Sequence, residues 1–181
     1  MEMKTRLVRF RSFWIFPCVA IALLYLTGPG DKRYLPLLFS IGLLLWTLIE
    51  YLFHRFVLHV EFRSPLVNKV ANASHLGHHK APRDGSQILV HPSFGIVISA
   101  ILFGLFFVIT GDPFRAAGLM TGIWAGFLYY EMVHYRVHMS LKSSPVLQQQ
   151  RRAHFYHHFS DSSRCFGVTS PLWDYVFGTR R

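Results

Sequence analysis

Residues 154–158 read His154-Phe155-Tyr156-His157-His158. The same H-x2-H-H spacing occurs earlier, at His75-Leu76-Gly77-His78-His79. Two pairs complete the pattern, His54 with His59 and His134 with His138, so ten of the eleven histidines fall into four clusters. Only His91, beside Pro92, stands apart, and it is read as a non-ligand. Neutral imidazole is a common ligand for zinc, copper, iron and nickel. A scattered set of histidines would not pair up in this way. The clusters therefore read as a metal cage, with His54, His59, His75, His78, His79, His134, His138, His154, His157 and His158 as its ligands.

The spacings carry geometry. His134 and His138 are four apart and share one helix face. His54 and His59 are five apart and diverge by about 140° on a regular helix. They can serve one metal only if the helix ends or distorts near Phe56–Leu58; otherwise they serve different metals. In each H-x2-H-H triplet the first two histidines are expected on one face, with the third about 100° away, so one triplet can feed two metals. Ten imidazoles suit two ions better than one. The set is also larger than a closed four-coordinate structural zinc site and has none of its cysteines. Glu50 precedes His54 by four and Glu131 precedes His134 by three. Each is expected to accept the free N–H of its histidine and fix the tautomer, with Tyr130 beside Glu131 as a further supporting candidate.

The clusters sit against long apolar runs. Of 181 residues 51% are hydrophobic, 17 of them Phe, with 19 Lys and Arg against 9 Asp and Glu. A net charge of +10 suits nucleic acid or an anionic membrane. The basic residues lie between apolar segments rather than along one arm, which favours the membrane and excludes nucleic acid as the partner. Cys18 and Cys165 suggest packing and no disulfide framework.

Four spans are expected, about 13–27, 34–53, 94–110 and 114–133, within a single domain over 1–181. The first resembles a signal peptide, but Thr27-Gly28-Pro29-Gly30-Asp31 is a turn rather than a cleavage site. Gly118, Gly122 and Gly126 recur every fourth residue, a small-residue face for close packing in a membrane. Residues 1–12, 54–92 and 134–181 hold 4, 5 and 7 Lys and Arg, and the loops near 28–34 and 111–115 hold 2 and 1. The positive-inside rule then places both termini and all ten clustered histidines on the cytoplasmic side.

Read together, the motifs EYLFHRFVLH (50–59), HLGHHK (75–80), EMVHYRVH (131–138) and RRAHFYHHF (151–159) resemble the membrane fatty acid hydroxylase / sterol desaturase superfamily. The finer likeness is to fatty acid (ceramide) 2-hydroxylases. It is carried by the ten-histidine set and by a tail with the pattern FGVTS…WD…FGT over Phe166–Thr179. The resemblance covers about residues 35–179. It implies an all-α fold: an integral membrane four-helix bundle with a cytosolic helical cap holding a histidine-rich dimetal centre. It implies two metal ions, iron at work with zinc possible in purified protein, and O2 as co-substrate. The implied reaction is hydroxylation at C2 of the acyl chain of a fatty acid or ceramide-type lipid. Some relatives carry a fused cytochrome b5 domain. None is expected within these 181 residues, so a separate electron donor of cytochrome b5 or ferredoxin type is expected. Tyr130-Glu131 stands where the family resemblance implies Tyr-Asp.

Phe155, Tyr156 and Trp173 are candidates either for a substrate groove or for cap packing. The nearest rival is a carotenoid, sterol or other lipid hydroxylase or desaturase of the same architecture, against which the tail weighs. A membrane metal carrier or sensor is the rival of another class. It would need polar groups along the spans, where this chain has them at one end. The expected location is a multi-pass position in the endoplasmic reticulum of a eukaryote or the inner membrane of a bacterium, with the active site facing the cytoplasm.

Overall fold

The computed structural model describes residues 11–28, 30–59, 75–141 and 144–181. The expected basic residues Lys4, Arg6 and Arg9 and the polar stretch around Pro65 lie outside them. Among the described residues the regular elements are helical, with no strand.

Local chemistry starts and stops these helices close to where the apolar runs begin and end. The first run forms α1 (Ser12–Leu26). A turn at Gly28, with φ of +82°, leads to a 3-10 turn (Lys32–Tyr34) and then α2 (Leu35–Phe53). Its end passes into a π-helical turn (His54–Leu58). Residues 75–80 and Gly85–Ile88 are short helical turns. The next span is α3 (Pro92–Thr110). His91 caps it, its side chain accepting the Ser93 N–H at 3.4 Å. This local role accounts for the one histidine outside the clusters. Gly111, left-handed at φ 64°, closes the other end by donating to the Phe107 carbonyl at 2.8 Å.

Asp112 accepts the Phe114 N–H at 2.8 Å and opens α4 (Pro113–Met139). This helix runs past the expected end at Val133 and so carries His134 and His138. Ser144 caps α5 (Pro145–Phe159), accepting the Leu147 N–H at 3.3 Å, and α6 (Leu172–Val176) lies within the tail motif.

The chain forms two compact units, Met1–Trp46 with Val90–Leu128 and Thr47–Leu89 with Tyr129–Arg181. In the first, the glycine face of α4 meets α2. A Cβ on Gly122 would lie 2.1 Å from the Phe39 carbonyl oxygen, and one on Gly42 would lie 2.1 Å from that of Leu119. Gly118 faces Leu38, and Gly126 faces Trp46. Phe127 packs edge-on against both Phe16 and Trp46, with centroids 5.3 and 5.4 Å away. The Trp124 indole donates to Ser99 Oγ at 2.8 Å.

In the second unit, Val133, Val137, Leu147 and Val168 form a core with Tyr130 and Phe155 against it. The Arg151 guanidinium donates to the carbonyls of Arg136, Val137 and Ser140 at 3.2, 2.9 and 2.6 Å. It thereby satisfies the last turn of α4, where a cation also suits the helix dipole. This clamp ties α5 to α4 one turn before His154.

Lys32–Leu58 and Pro92–Thr110, of 27 and 19 residues, are long and apolar enough to cross a membrane. Their surfaces expose Leu37, Leu44, Ile101, Val108 and Ile109. So much apolar surface on helices of this length marks a membrane protein.

Candidate metal centre

The ten histidines gather into two groups of five. His54, His59, His75, His79 and His157 form the first; His78, His134, His138, His154 and His158 form the second. Within each group the ring nitrogens offered as ligands all lie within 4.8 Å of one another. Six of the ten, His54, His75, His78, His134, His154 and His157, are buried.

Helix geometry explains the partition. A π-turn bonds i to i+5, so it returns every fifth residue to nearly the same face. The π-helical turn at His54–Leu58 therefore aligns His54 with His59, and both enter the first group. His134 and His138 share a face of regular α-helix and both enter the second. The triplets correct the expected pairing of first with second histidine. His75 and His79 serve the first group and His78 the second; His154 and His158 serve the second and His157 the first. On an α-helix, i and i+4 diverge by about 40°, whereas i+3 lies about 60° to the other side. The outer members therefore pair, and the middle one crosses. Each group thus takes one pair, two outer members of one triplet and the middle member of the other.

The donor set fits a cation. In the first group Nε2 atoms face one another at 3.1 Å (His54–His75), 3.0 Å (His75–His59), 3.0 Å (His79–His75) and 2.9 Å (His157–His59). In the second the spacings are 3.1 Å (His78–His138), 3.0 Å (His134–His78) and 2.8 Å (His154–His138). Two nitrogens bound about 2.1 Å from one ion and at right angles lie about 3.0 Å apart. His54 Nδ1 lies 2.6 Å from the Phe166 carbonyl and His157 Nδ1 lies 2.7 Å from that of Arg164. A carbonyl only accepts, so both Nδ1 atoms carry the proton and both Nε2 atoms present lone pairs to the group. An imidazole N–H can bridge only one such contact, and His75 Nε2 alone faces three other Nε2 atoms, so the remaining lone pairs repel unless a cation lies between them. Each group can therefore hold a metal ion.

Burial favours the neutral, ligating form. It pushes His59 and His78 down to about 4, and His79 and His138 down to about 3, with other histidines adding repulsion at His59, His79 and His138. Unfolded histidines protonate near 6.5. Between about pH 6.5 and 4 the unfolded chain thus binds more protons, and the metal-free fold loses stability as pH falls; above 6.5 the effect is flat. Melting curves of chelator-treated protein should show a midpoint falling through this window. A midpoint unchanged or rising on acidification would refute the buried-cage electrostatics.

Two expected hydrogen bonds are corrected. The Glu50 carboxylate does not take the His54 N–H, which goes to the Phe166 carbonyl. It accepts instead the N–H groups of Val168 and Thr169, at 2.6 and 2.9 Å, and the Thr169 hydroxyl. Two N–H donors held in consecutive peptides suit one carboxylate better than an imidazole a helical turn away. Glu131 is buried, but the Nδ1 atom of His134 has no hydrogen-bond partner among the described residues, so the expected bond between them is not made. Tyr130 stacks on the His134 ring, centroids 5.3 Å apart. Trp173 donates its indole N–H to Thr47 Oγ1 at 2.9 Å, and Phe155 packs against the Val133 core.

Sequence reasoning missed Asp174, which is fully buried and accepts the N–H groups of Phe166 and Gly167, both at 2.9 Å. The tail motif contained it, but only as a mark of resemblance. Cys165, between the two carbonyls that face histidines, has φ of 56°, a left-handed conformation uncommon outside glycine. Such a residue costs about 1–3 kcal/mol and persists where its surroundings enforce it.

Comparison with known proteins agrees with this geometry. The family model described as fatty acid hydroxylase matches residues 39–179. A dihydroceramide fatty acyl 2-hydroxylase of Arabidopsis thaliana is 34% identical over 79% of this chain and 60% of its own length. A fatty acid 2-hydroxylase of Rattus norvegicus is 36% identical over 78% of this chain and 39% of its own. The solved structure of full-length scs7p, in which only the hydroxylase domain is visible, superposes with a TM-score of 0.81 at 28% identity. That match covers 92% of this chain and 65% of the other. The chain thus spans three-fifths or less of these two curated relatives. With a family match over most of its length and two convergent histidine groups inside the matched region, the chain belongs to the fatty acid hydroxylase family.

Proposed function

We propose that this chain is a membrane-bound lipid hydroxylase that adds oxygen at C2 of the acyl chain of a fatty acid or ceramide-type lipid. The observation that carries the reading is the pair of five-histidine groups in a chain of this family. The names of its curated relatives supply the substrate class and position.

His54, His59, His75, His79 and His157 hold one metal ion, and His78, His134, His138, His154 and His158 hold the other. Iron is the working metal, and zinc can take its place in purified protein. No acid–base group here is strong enough to break an unactivated C–H bond. When bound, the metal pair supplies the activation of O2 and the oxidation of that bond. One oxygen atom enters the C–H bond and the other leaves as water, consuming two electrons and two protons. The electrons come from a separate carrier of cytochrome b5 or ferredoxin type, drawn to a basic surface. The protein holds the imidazoles neutral, fixes the His54 and His157 tautomers through backbone carbonyls, and keeps the site dry. Four crossings, α1 to α4, with the histidines and both ends toward the cytoplasm follow from the Lys and Arg distribution.

Lipid mass spectrometry of cells expressing the chain, beside a His154→Ala control at equal level, tests the reading. The expected result is 2-hydroxy acyl lipids only with the intact protein. Oxygenated sterols or carotenoids with unchanged acyl chains would overturn the substrate. No change in any lipid class, with iron and a reductase supplied, would turn the reading toward a metal carrier.

A further inference from the structure

The two histidine groups differ in what stands behind them. In the second, the Nδ1 atoms of His78, His134, His154 and His158 have no hydrogen-bond partner among the described residues. In the first, the Nδ1 atoms of His54 and His157 end on the carbonyls of Phe166 and Arg164. Those carbonyls belong to peptide units whose own N–H groups are bound. The Phe166 carbonyl shares its peptide with the Gly167 N–H, which donates to Asp174 Oδ2 at 2.9 Å. The Arg164 carbonyl shares its peptide with the Cys165 N–H, which donates to the Thr179 carbonyl at 2.9 Å. Thr179 is itself anchored to Asp174, its N–H donating to the Asp174 carbonyl at 2.8 Å and its hydroxyl to Asp174 Oδ1 at 2.7 Å. The Tyr51 hydroxyl lies 3.0 Å from the Thr179 hydroxyl. Beyond Gly167, Glu50 takes the next two N–H groups.

We propose that Asp174 is a positioning residue for the first metal group alone. It acts on His54 through the 166–167 peptide unit, whose N–H its carboxylate accepts. It acts on His157 through Thr179, which it anchors and whose carbonyl accepts the N–H of the 164–165 unit. A carboxylate accepting one side of an amide polarises it, so its carbonyl accepts more strongly on the other. The effect is a relayed form of a carboxylate standing behind a metal-binding histidine, where direct partners typically change metal affinity about 10–100-fold, so the low end of that range is expected. Gly167 fits the arrangement, because a Cβ there would lie 2.1 Å from the Ser170 carbonyl oxygen and 3.0 Å from Asp174 Oδ2. The first group accordingly keeps its ion longer than the second.

This inference rests on the proposed metal-holding role of both groups, and one experiment separates the two. The full chain, purified in detergent and loaded with Zn(II), is challenged with a chelator while bound zinc is counted over time. The expected course is two ions lost in two phases, the slow one about tenfold or more slower. His138→Ala is expected to remove the fast phase. Asp174→Asn, which sets an NH2 group against N–H donors, is expected to speed the slow phase about tenfold and leave the fast one alone. Where Asp174→Asn does not yield folded protein, Thr179→Val takes its place, since it removes one hydroxyl and spares the carboxylate. A smaller acceleration, still confined to the slow phase, is then expected. Two ions lost in a single phase, or both phases speeded equally, would overturn the proposal and leave the metal reading intact. A chain that takes up no zinc would overturn the metal reading itself.

Discussion

Alanine at His157 is expected to reduce 2-hydroxy acyl product by at least about 100-fold and to lower bound metal from two ions toward one. The estimate is a floor: partners standing behind a ligand cost about 10–100-fold when removed, and a ligand costs no less. His157 sits in α5 between His154 and His158, yet its Nε2 lies 2.9 Å from that of His59, in the other group. The substitution therefore takes a nitrogen from the first group while its neighbours stay with the second. It also strands the Arg164 carbonyl, which accepts the His157 Nδ1–H. Both losses fall on one site, so metal content and product should drop together. His91→Ala is the control, because that histidine caps α3 and belongs to neither group. Elemental analysis of the purified protein and lipid mass spectrometry of the cells give the two readouts. Two bound ions and unchanged product in His157→Ala would exclude the crossing assignment.

Leucine at Gly122 is expected to destabilise the fold by about 3 kcal/mol or more, at the upper end of what overpacking costs. Even a methyl group at this position would lie 2.1 Å from the Phe39 carbonyl oxygen and 2.6 Å from the Leu43 nitrogen. Backbone cannot swing aside as a flexible side chain does, so α2 and α4 must separate. Separation also loosens Gly118 from Leu38 and Gly126 from Trp46. Association of apolar helices in lipid depends on close packing, because lipid tails compete equally for the same surface. Gly122→Ala should give the same sign with a smaller size. Gly104 in α3 supplies the contrast: a Cβ there meets nothing within 4 Å, and Gly104→Ala should be neutral or stabilising. The yield of monodisperse protein in detergent and its melting temperature decide between them. A Gly122→Leu protein that melts like the parent would rule out the close seam.

Much of the site was legible in the chain. Ten histidines in four clusters pointed to groups able to hold metal, because the pair spacings encode which rings can share a helix face. The apolar runs and their Pro, Asp and Gly boundaries located the helices within a few residues, since caps and turns are local chemistry, except that α4 continues beyond its apolar run to Met139. The four-residue recurrence of Gly118, Gly122 and Gly126 marked the close seam for the same reason. His134 and His138 needed only a regular helix to come together. For His54 and His59 the spacing allowed two outcomes, and a π-turn chose one of them.

What the sequence could not decide depended on distance in space. The triplets are split as outer members and middle member, because two histidine groups on different sides of a helix draw on its full circumference rather than on one favoured pair. Glu50 was visible as an acid within an apolar run, one turn from His54. Its carboxylate went to Val168 and Thr169, more than a hundred residues away, where unpaired backbone donors needed an acceptor. Asp174 lay unassigned in the tail for the same reason: its link to His54 passes through a peptide unit that only folding brings near. Local spacing by itself picked out the ten histidines that gather and the helices that carry them. Only the tertiary structure decided which nitrogen joins which group and what holds it there, because backbone hydrogen bonds between distant segments leave no periodic trace in the chain.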